Sequence, residues 1–269
     1  MKKTFFILMA LCALLAVSCD KEKKPGGEEK IPVPEAVDIG MVITRSDGTK
    51  YTLKWASFNL GASNEFEYGN YYAWGETEPK KEFSWSNYKY ANGVYSKLNK
   101  YCSTSENGKK WWDGTESYPD GEMKLLPTDD VAHVKLGGKW RMPTLQECNA
   151  LLALMKDTEH YTSKWELILD GDGNEIYDKN NNARHGLRLT QKGGNSIFFP
   201  AAGYCNDSDI GKQSGYRGFY HTATLDDSYY SYCVPKLLLY GEDNGSGTGN
   251  LINSASRCEG LSVRPVWEE

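Results

Sequence analysis

The 269-residue sequence has only four histidines, His133, His160, His185 and His221. They are far apart, with neither an HExxH pair nor paired CxxC motifs beside them, so no zinc-ligand spacing is present. A GxSxG nucleophile elbow, a phosphate-binding P-loop and a dinucleotide fingerprint are all missing. The usual sequence marks of hydrolase, nucleotide and metal chemistry are therefore absent. Basic charge is also short: 31 Lys and Arg against 36 Asp and Glu give a net charge of −5. An acidic chain without a basic cluster excludes a nucleic-acid partner. Beyond the first twenty residues no apolar run is long enough to span a bilayer.

The exception lies at the start. "MKKTFFILMALCALLAVSC" has a basic head (Lys2, Lys3), an apolar run from Phe5 to Val17 and a small residue before Cys19. It reads as a secretory signal over 1–18. "LAVSC" resembles a bacterial lipobox, with Ala16 where Leu is more usual. That implies cleavage before Cys19 and lipidation there, hence a cell-envelope protein held to the membrane by its N-terminal lipid; an ordinary cleaved signal is the alternative. Loss of Lys2 and Lys3 takes the charge from −5 to −7. Residues 19–36 are charged, with Pro and Gly and few large apolar side chains, and read as a flexible tether. Acidic residues soon after the lipid also suit a sorting signal for the outer leaflet.

Residues 37–269 remain, enough for one large domain. Five cysteines fall in them: Cys102, Cys148, Cys205, Cys233 and Cys258. The odd number leaves at least one thiol unbridged within the chain. Cys148 is expected to be a buried thiol, while Cys205, Cys233 and Cys258 would supply at most one bridge. Aromatics are abundant, 18 Tyr, 8 Trp and 8 Phe, a composition that suits loop-rich domains and recognition surfaces.

Local patterns give the elements. "MVIT-RSDG-TKYTLKW" alternates around a Ser-Asp-Gly turn and predicts a β-hairpin. The aromatic stretch "EFEYGNYYAWGETEPKKEFSWSNYKY" has no helical period and reads as short strands and ordered loops. In "PTLQEC", Thr144 and Glu147 form a capping box, and Leu145, Cys148, Leu151, Leu152 and Met155 share one helical face. Arg141, just before this cap, is read as holding a loop or a carboxylate. A shorter helix is expected at "PTDDVAHV". "WELIL" and "GLRLT" read as strands around a polar hairpin. "NSIFFPAAGY", "GYRGFYHTATL", "YYSYCVPKLLLY" and "GLSVRPVW" are further strand candidates. Strands, one or two helices, then many short strands predict an α+β fold with a largely antiparallel sheet.

Four segments, "LKWASFNLGAS…EYGNYYAWGET", "DDVAHVKLGGKWRMPTLQE", "GNSIFFPAAGY" and "GLSVRPV", resemble the Fibrobacter succinogenes major paralogous domain family. They occur in the family's order and cover about Val37 to Val266. The resemblance implies a C-type-lectin-like fold, shared with the formylglycine-generating-enzyme branch, on an exported Bacteroidetes lipoprotein. It implies no reaction. "MVITRSDGTKYT" and "LILDGDGNEIYDKNNNARHG" are longer than the family pattern, and His221-Thr222-Ala223 stands where a Trp-Ser-Ser block is expected. The oxidative branch uses two closely spaced C-terminal cysteines, which this chain lacks. An enzyme is therefore not expected, and a sulfatase-modifying activity is only a remote alternative.

Two site candidates follow. Aromatic residues of the late segments, Tyr204, Tyr216, Phe219, Tyr220, Tyr229, Tyr230 and Tyr232, stand beside Asn206, Asp207, Asp209, Asp226 and Asp227. Rings stack on sugar C–H faces while short polar side chains bond hydroxyls, so this mixture suits a glycan or a protein ligand, although alternate tyrosines of "YYSYC" also suit a strand core. In "DGDGNE", Asp170, Asp172 and Asn174 have the alternating oxygens of a calcium loop, but Gly173 falls early and Asn181 stands where the closing Glu belongs; a plain hairpin turn fits equally. No other cofactor is implied. The expected role is a non-enzymatic ligand-binding domain, with a structural or accessory subunit of a surface assembly such as fimbriae as the alternative.

Overall fold

In the computed structural model, residues 31–102, 122–225, 232–241 and 249–269 are described. Cys19 of the tether therefore lies outside them. The chain runs through β1 (Ala36–Thr44), β2 (Lys50–Ala56), β3 (Tyr71–Tyr72), α1 (Val131–Leu136), β4 (Trp140–Arg141) and α2 (Leu145–Lys156). It continues through β5 (Tyr161–Leu167), β6 (His185–Gln191), β7 (Ser196–Pro200), β8 (Tyr204–Asn206), β9 (Asp209–Lys212) and β10 (Arg217–His221). It closes with β11 (Cys233–Tyr240), β12 (Gly249–Ser256), β13 (Leu261–Ser262) and β14 (Val266–Glu268). The architecture is α+β: mostly antiparallel sheets with few helices.

The hairpin β1–β2 forms around the Ser-Asp-Gly turn, pairing Thr44 with Lys50. It is half of a four-stranded sheet ordered β1-β2-β14-β4, in which β14, from the far end of the chain, sits between β2 and β4. A five-stranded sheet is ordered β12-β11-β10-β13-β3. Its one parallel contact sets Tyr220 beside Ser262. Strands β5-β6-β7 make a third sheet and β8-β9 a two-stranded ribbon. β12 was not anticipated from the sequence, because "GNLINSAS" shows no clear apolar alternation.

Helix α2 starts as its sequence dictates. Thr144 Oγ1 accepts from Glu147 N at 3.3 Å, and Glu147 Oε2 accepts from Thr144 N at 2.7 Å. Cys148, Leu151, Leu152 and Met155 are buried, while Leu145 is only half-buried. This face packs with Ile39 and Met41 of β1, Trp55 of β2, Leu187 of β6, Phe199 of β7 and Tyr220 of β10. Each such side chain contributes roughly 1.5–3 kcal/mol by leaving water. In α1 the N-cap is Asp130, whose carboxylate accepts from Ala132 N and His133 N. Asp129 instead binds Tyr101 Oη at 2.6 Å and pairs with Lys100.

The aromatic stretch forms a second core rather than a display surface. Trp74, Tyr88, Tyr90 and Tyr101 are buried and meet edge to face, with Trp74–Tyr101 centroids 5.1 Å apart. Its loops are tied by polar atoms. Trp74 Nε1 donates to Thr222 O at 2.8 Å, and Tyr88 Oη to Trp74 O at 2.9 Å. His221 Nε2 bonds Tyr72 O at 2.8 Å. The His221-Thr222 stretch therefore locks β10 onto the loop that carries Trp74. Arg264, fully buried, lies 4.7 Å from the Phe199 ring. Its guanidinium donates to Asn59 Oδ1 at 2.9 Å, Ala56 O at 3.1 Å and Phe198 O at 2.7 Å.

Cys205, Cys233 and Cys258, which could have supplied one bridge, form none; all three are thiols. Strand register explains this. Cys233 lies opposite Ser256 and Cys205 opposite Gly260. Each therefore meets a position two residues away from Cys258. Cys148 is a buried thiol, whose pKa burial raises.

Candidate functional site

Two adjoining clefts, of about 470 Å³ and 490 Å³, flank the β8–β9 ribbon and share Lys179, Asn180 and Gly211. Their outer wall is the long connection between β5 and β6. It folds into two successive turns. In the first, Asp170 Oδ1 accepts from Asp172 N at 2.9 Å and Asn174 N at 2.8 Å. In the second, Asp178 Oδ1 accepts from Asn180 N at 2.8 Å and Asn182 N at 3.0 Å. Both are Asp-headed turns, in which the side chain captures backbone N–H groups two and four residues ahead. The second brings Tyr177, Asp178 and Asn180 over the ribbon. Asn180 Nδ2 fastens it there, donating to Gly211 O at 3.1 Å and Ser214 Oγ at 3.2 Å.

The inner wall is the segment before β3. Gly69 has φ 72°, and a Cβ there would stand 2.5 Å from Leu60 O, so the tight turn beside Tyr68 needs glycine. Tyr68 and Tyr71 line the cleft. The Arg184 guanidinium lies 4.4 Å from the Tyr68 ring centre and also donates to Phe66 O. Burial first, then the nearby Asp178 carboxylate, pushes the Tyr68 hydroxyl up to about 12. It is a neutral hydrogen-bonding group at any physiological pH. Burial opposes ionisation of Asp178, but hydrogen bonds, led by that of Ser214, outweigh it and hold this carboxyl below its ordinary value.

Two rings in this region are exposed, and one of them lines a cleft. Tyr177 is 53% exposed and lines the first; its hydroxyl donates to Glu175 at 2.6 Å. Tyr216 is 50% exposed and belongs to the turn after Gln213, which lines the second. Asn180, Asn182, Asp209 and Gln213 line the second cleft as amide and carboxylate groups.

The sequence-derived candidates separate on this geometry. Asp209 lines the second cleft, and Tyr216 is exposed but lines neither. Tyr220 does not: it is 1% exposed, packs against α2 and β7, and donates to Pro200 O at 2.6 Å. Phe219 is also buried, on the opposite face of β10. Tyr204 is half-buried with its ring 5.2 Å from that of Phe219, and Lys236 Nζ sits 4.6 Å from the Phe219 centroid. These two rings are occupied by each other and by a buried lysine. Both faces of β10 are covered, Tyr220 by Phe199 and α2 and Phe219 by Tyr204, so alternation along the strand exposes neither. Asp226, Asp227, Tyr229 and Tyr230 lie outside the described residues. Asp170, Asp172 and Asn174 form the first turn: Asn174 Nδ2 points at Asp170 Oδ2, at 3.2 Å, and the Asp170 carboxylate serves its own backbone. Among the described residues no group of three His, Cys, Asp or Glu is placed to hold a metal.

Tyr68, Tyr177, Asn180 and Arg184 were not foreseen as site residues. One signal was present. Asp170/Asn174 and Asp178/Asn182 repeat an Asp-x-x-x-Asn spacing, which marks two turns rather than one long hairpin. No protein-family model, curated protein or solved structure matches the chain.

Proposed function

We propose that this chain is a lipid-anchored cell-envelope protein, held through Cys19 in the outer membrane, whose C-type-lectin-like domain binds a glycan without catalysing a reaction. The paired clefts around Asn180 are its binding groove. The observation that carries this reading is the placement of the half-exposed Tyr177 ring at a groove lined by Asn, Asp and Gln side chains. Ring faces take sugar C–H surfaces, and amide and carboxylate groups bond hydroxyls in fixed directions. The groove continues on both sides of Asn180, which suits more than one sugar unit. A larger cavity elsewhere, of about 710 Å³, is walled mainly by charged side chains, and its Trp140 is buried. Volume alone does not favour it for a neutral sugar.

The test is a glycan array probed with the full-length chain, followed by calorimetry on the best ligand. Tyr177→Ala is expected to weaken binding about tenfold or more, since losing one stacked ring removes on the order of 1–2 kcal/mol. Absence of any glycan binding, or binding indifferent to Tyr177→Ala, removes this groove as a glycan site and shifts weight to a protein partner.

A further inference from the structure

The 710 Å³ cleft lies among the turn end of the β1–β2 hairpin, residues 122–127, α1, β4 and the end of β14. Its charges are unevenly used. Asp130 is buried and accepts from the backbone N–H groups of Ala132, His133 and Met142. Glu268 is held by Arg45 and Arg141, and Glu269 by Lys54. Glu122 is not free either. Both arginines are thereby committed, Arg141 also through Glu147 at 2.5 Å and 2.8 Å.

The lysines differ. Lys50, Lys124 and Lys139 line the cleft, are exposed, and have no acidic partner within ion-pair distance among the described residues. His133 adds a fourth group. Its Nδ1 faces the Trp140 carbonyl at 3.2 Å; a carbonyl only accepts, so Nδ1 carries the proton and Nε2 is the nitrogen left for a ligand. Leu126, Pro127 and Trp140 give the same cleft an apolar side.

We propose that this cleft is a second binding site, for an organic oxyanion: a carboxylate or sulfate carried on a compact carbon scaffold, as in an acidic sugar unit. The three lysines supply the counter-charge that the committed acids no longer cancel. Nε2 of His133, an acceptor in this tautomer, takes a hydroxyl of the scaffold rather than the oxyanion, and the apolar side takes its carbon face. The arginines set the shape of the wall and do not need to move.

The experiment is titration calorimetry on the full-length chain, at low and at physiological salt, with glucuronate, glucose 6-sulfate, inorganic sulfate and glucose. Saturable binding of glucuronate or glucose 6-sulfate but not of glucose is expected. Whichever binds identifies carboxylate or sulfate as the group read. Affinity should fall about tenfold in Lys124→Ala/Lys139→Ala, whose side chains are exposed and leave the fold intact, and should weaken as salt screens the site. The same affinity in Lys164→Ala, a lysine outside the cleft, is the control. Tyr177→Ala should leave it unchanged as well, so this site and the glycan groove fail separately. No saturable binding, equal affinity for inorganic sulfate, or unaltered affinity in the double variant overturns the proposal.

Discussion

Tyr177 and Tyr220 are the same residue type with opposite fates, and the difference lies in what surrounds each backbone. Tyr177 sits at the base of an Asp-headed turn and keeps a free ring face. Tyr220 is enclosed by Phe199, Leu237 and α2. Tyr220→Ala is therefore expected to cost about 3–5 kcal/mol of stability by opening a cavity, read by denaturant unfolding, whereas Tyr177→Ala should leave the midpoint unchanged. Arg264 makes a related point. It has neutral partners only, three oxygens on two segments, residues 56–59 and β7, and burial lowers its pKa to about 10. A lysine has one nitrogen where the guanidinium has a fork. Arg264→Lys is expected to lose about 2–4 kcal/mol, because at least one buried oxygen loses its donor. A loss below 1 kcal/mol would show that water or a shift of Asn59 replaces the fork.

At the scale of elements, the start of α2 shows what a sequence discloses. Its capping box depends on residues three apart, so it was readable. The wider network was not, except that Arg141 was expected to hold a loop or a carboxylate. Glu147 is fully buried and also accepts from Arg141 and from Tyr51 Oη at 2.6 Å. Burial raises its pKa, but these donors, Arg141 first, outweigh that and bring it below the ordinary value. Thr144→Ala should cost about 1 kcal/mol, the usual worth of a cap. Glu147→Gln should cost about 3–5 kcal/mol, because it leaves Arg141 partly unpaired in a buried place. If the two losses are equal in urea unfolding, the ion pair adds nothing beyond the cap. The hairpin β1–β2 was legible for the same local reason. Strands β8 and β9 were not, being too short to show a period. The burial of both Phe219 and Tyr220 was hidden too, because it follows from what packs on each face of β10, Phe199 and α2 on one and Tyr204 on the other, and distant segments supply all of these.

The stability of the whole molecule depends on pH through groups it keeps out of water. Burial lowers the pKa of His221 from 6.5 to about 4. Between those values the unfolded chain holds a proton on this ring and the folded chain does not. The His221 contribution is thus complete above pH 6.5 and declines as pH falls toward 4. Glu259, whose pKa burial raises, acts in the opposite sense over an overlapping range. The clean measurement is a difference. Near pH 5 the wild-type chain should take up about one more proton on unfolding than His221→Gln does; equal uptake would mean the ring is charged in the folded state. The thiols report on the same body. Burial raises the pKa of Cys205 to about 11 and of Cys258 to about 12. Alkylation of Cys148, Cys205 and Cys258 should therefore be negligible before unfolding and complete after it.

The position of β14 has a consequence for how the chain is made. The first hairpin is synthesised early, but its Trp55 pairs with Val266, more than two hundred residues later. Until that strand arrives the outer edge of β2 is unpaired, and Arg264 has not joined Ala56 to Phe198. The N-terminal sheet cannot close during synthesis. It closes only when the last strand slides in between β2 and β4, so a nascent chain carries an open, sticky edge for nearly its entire elongation.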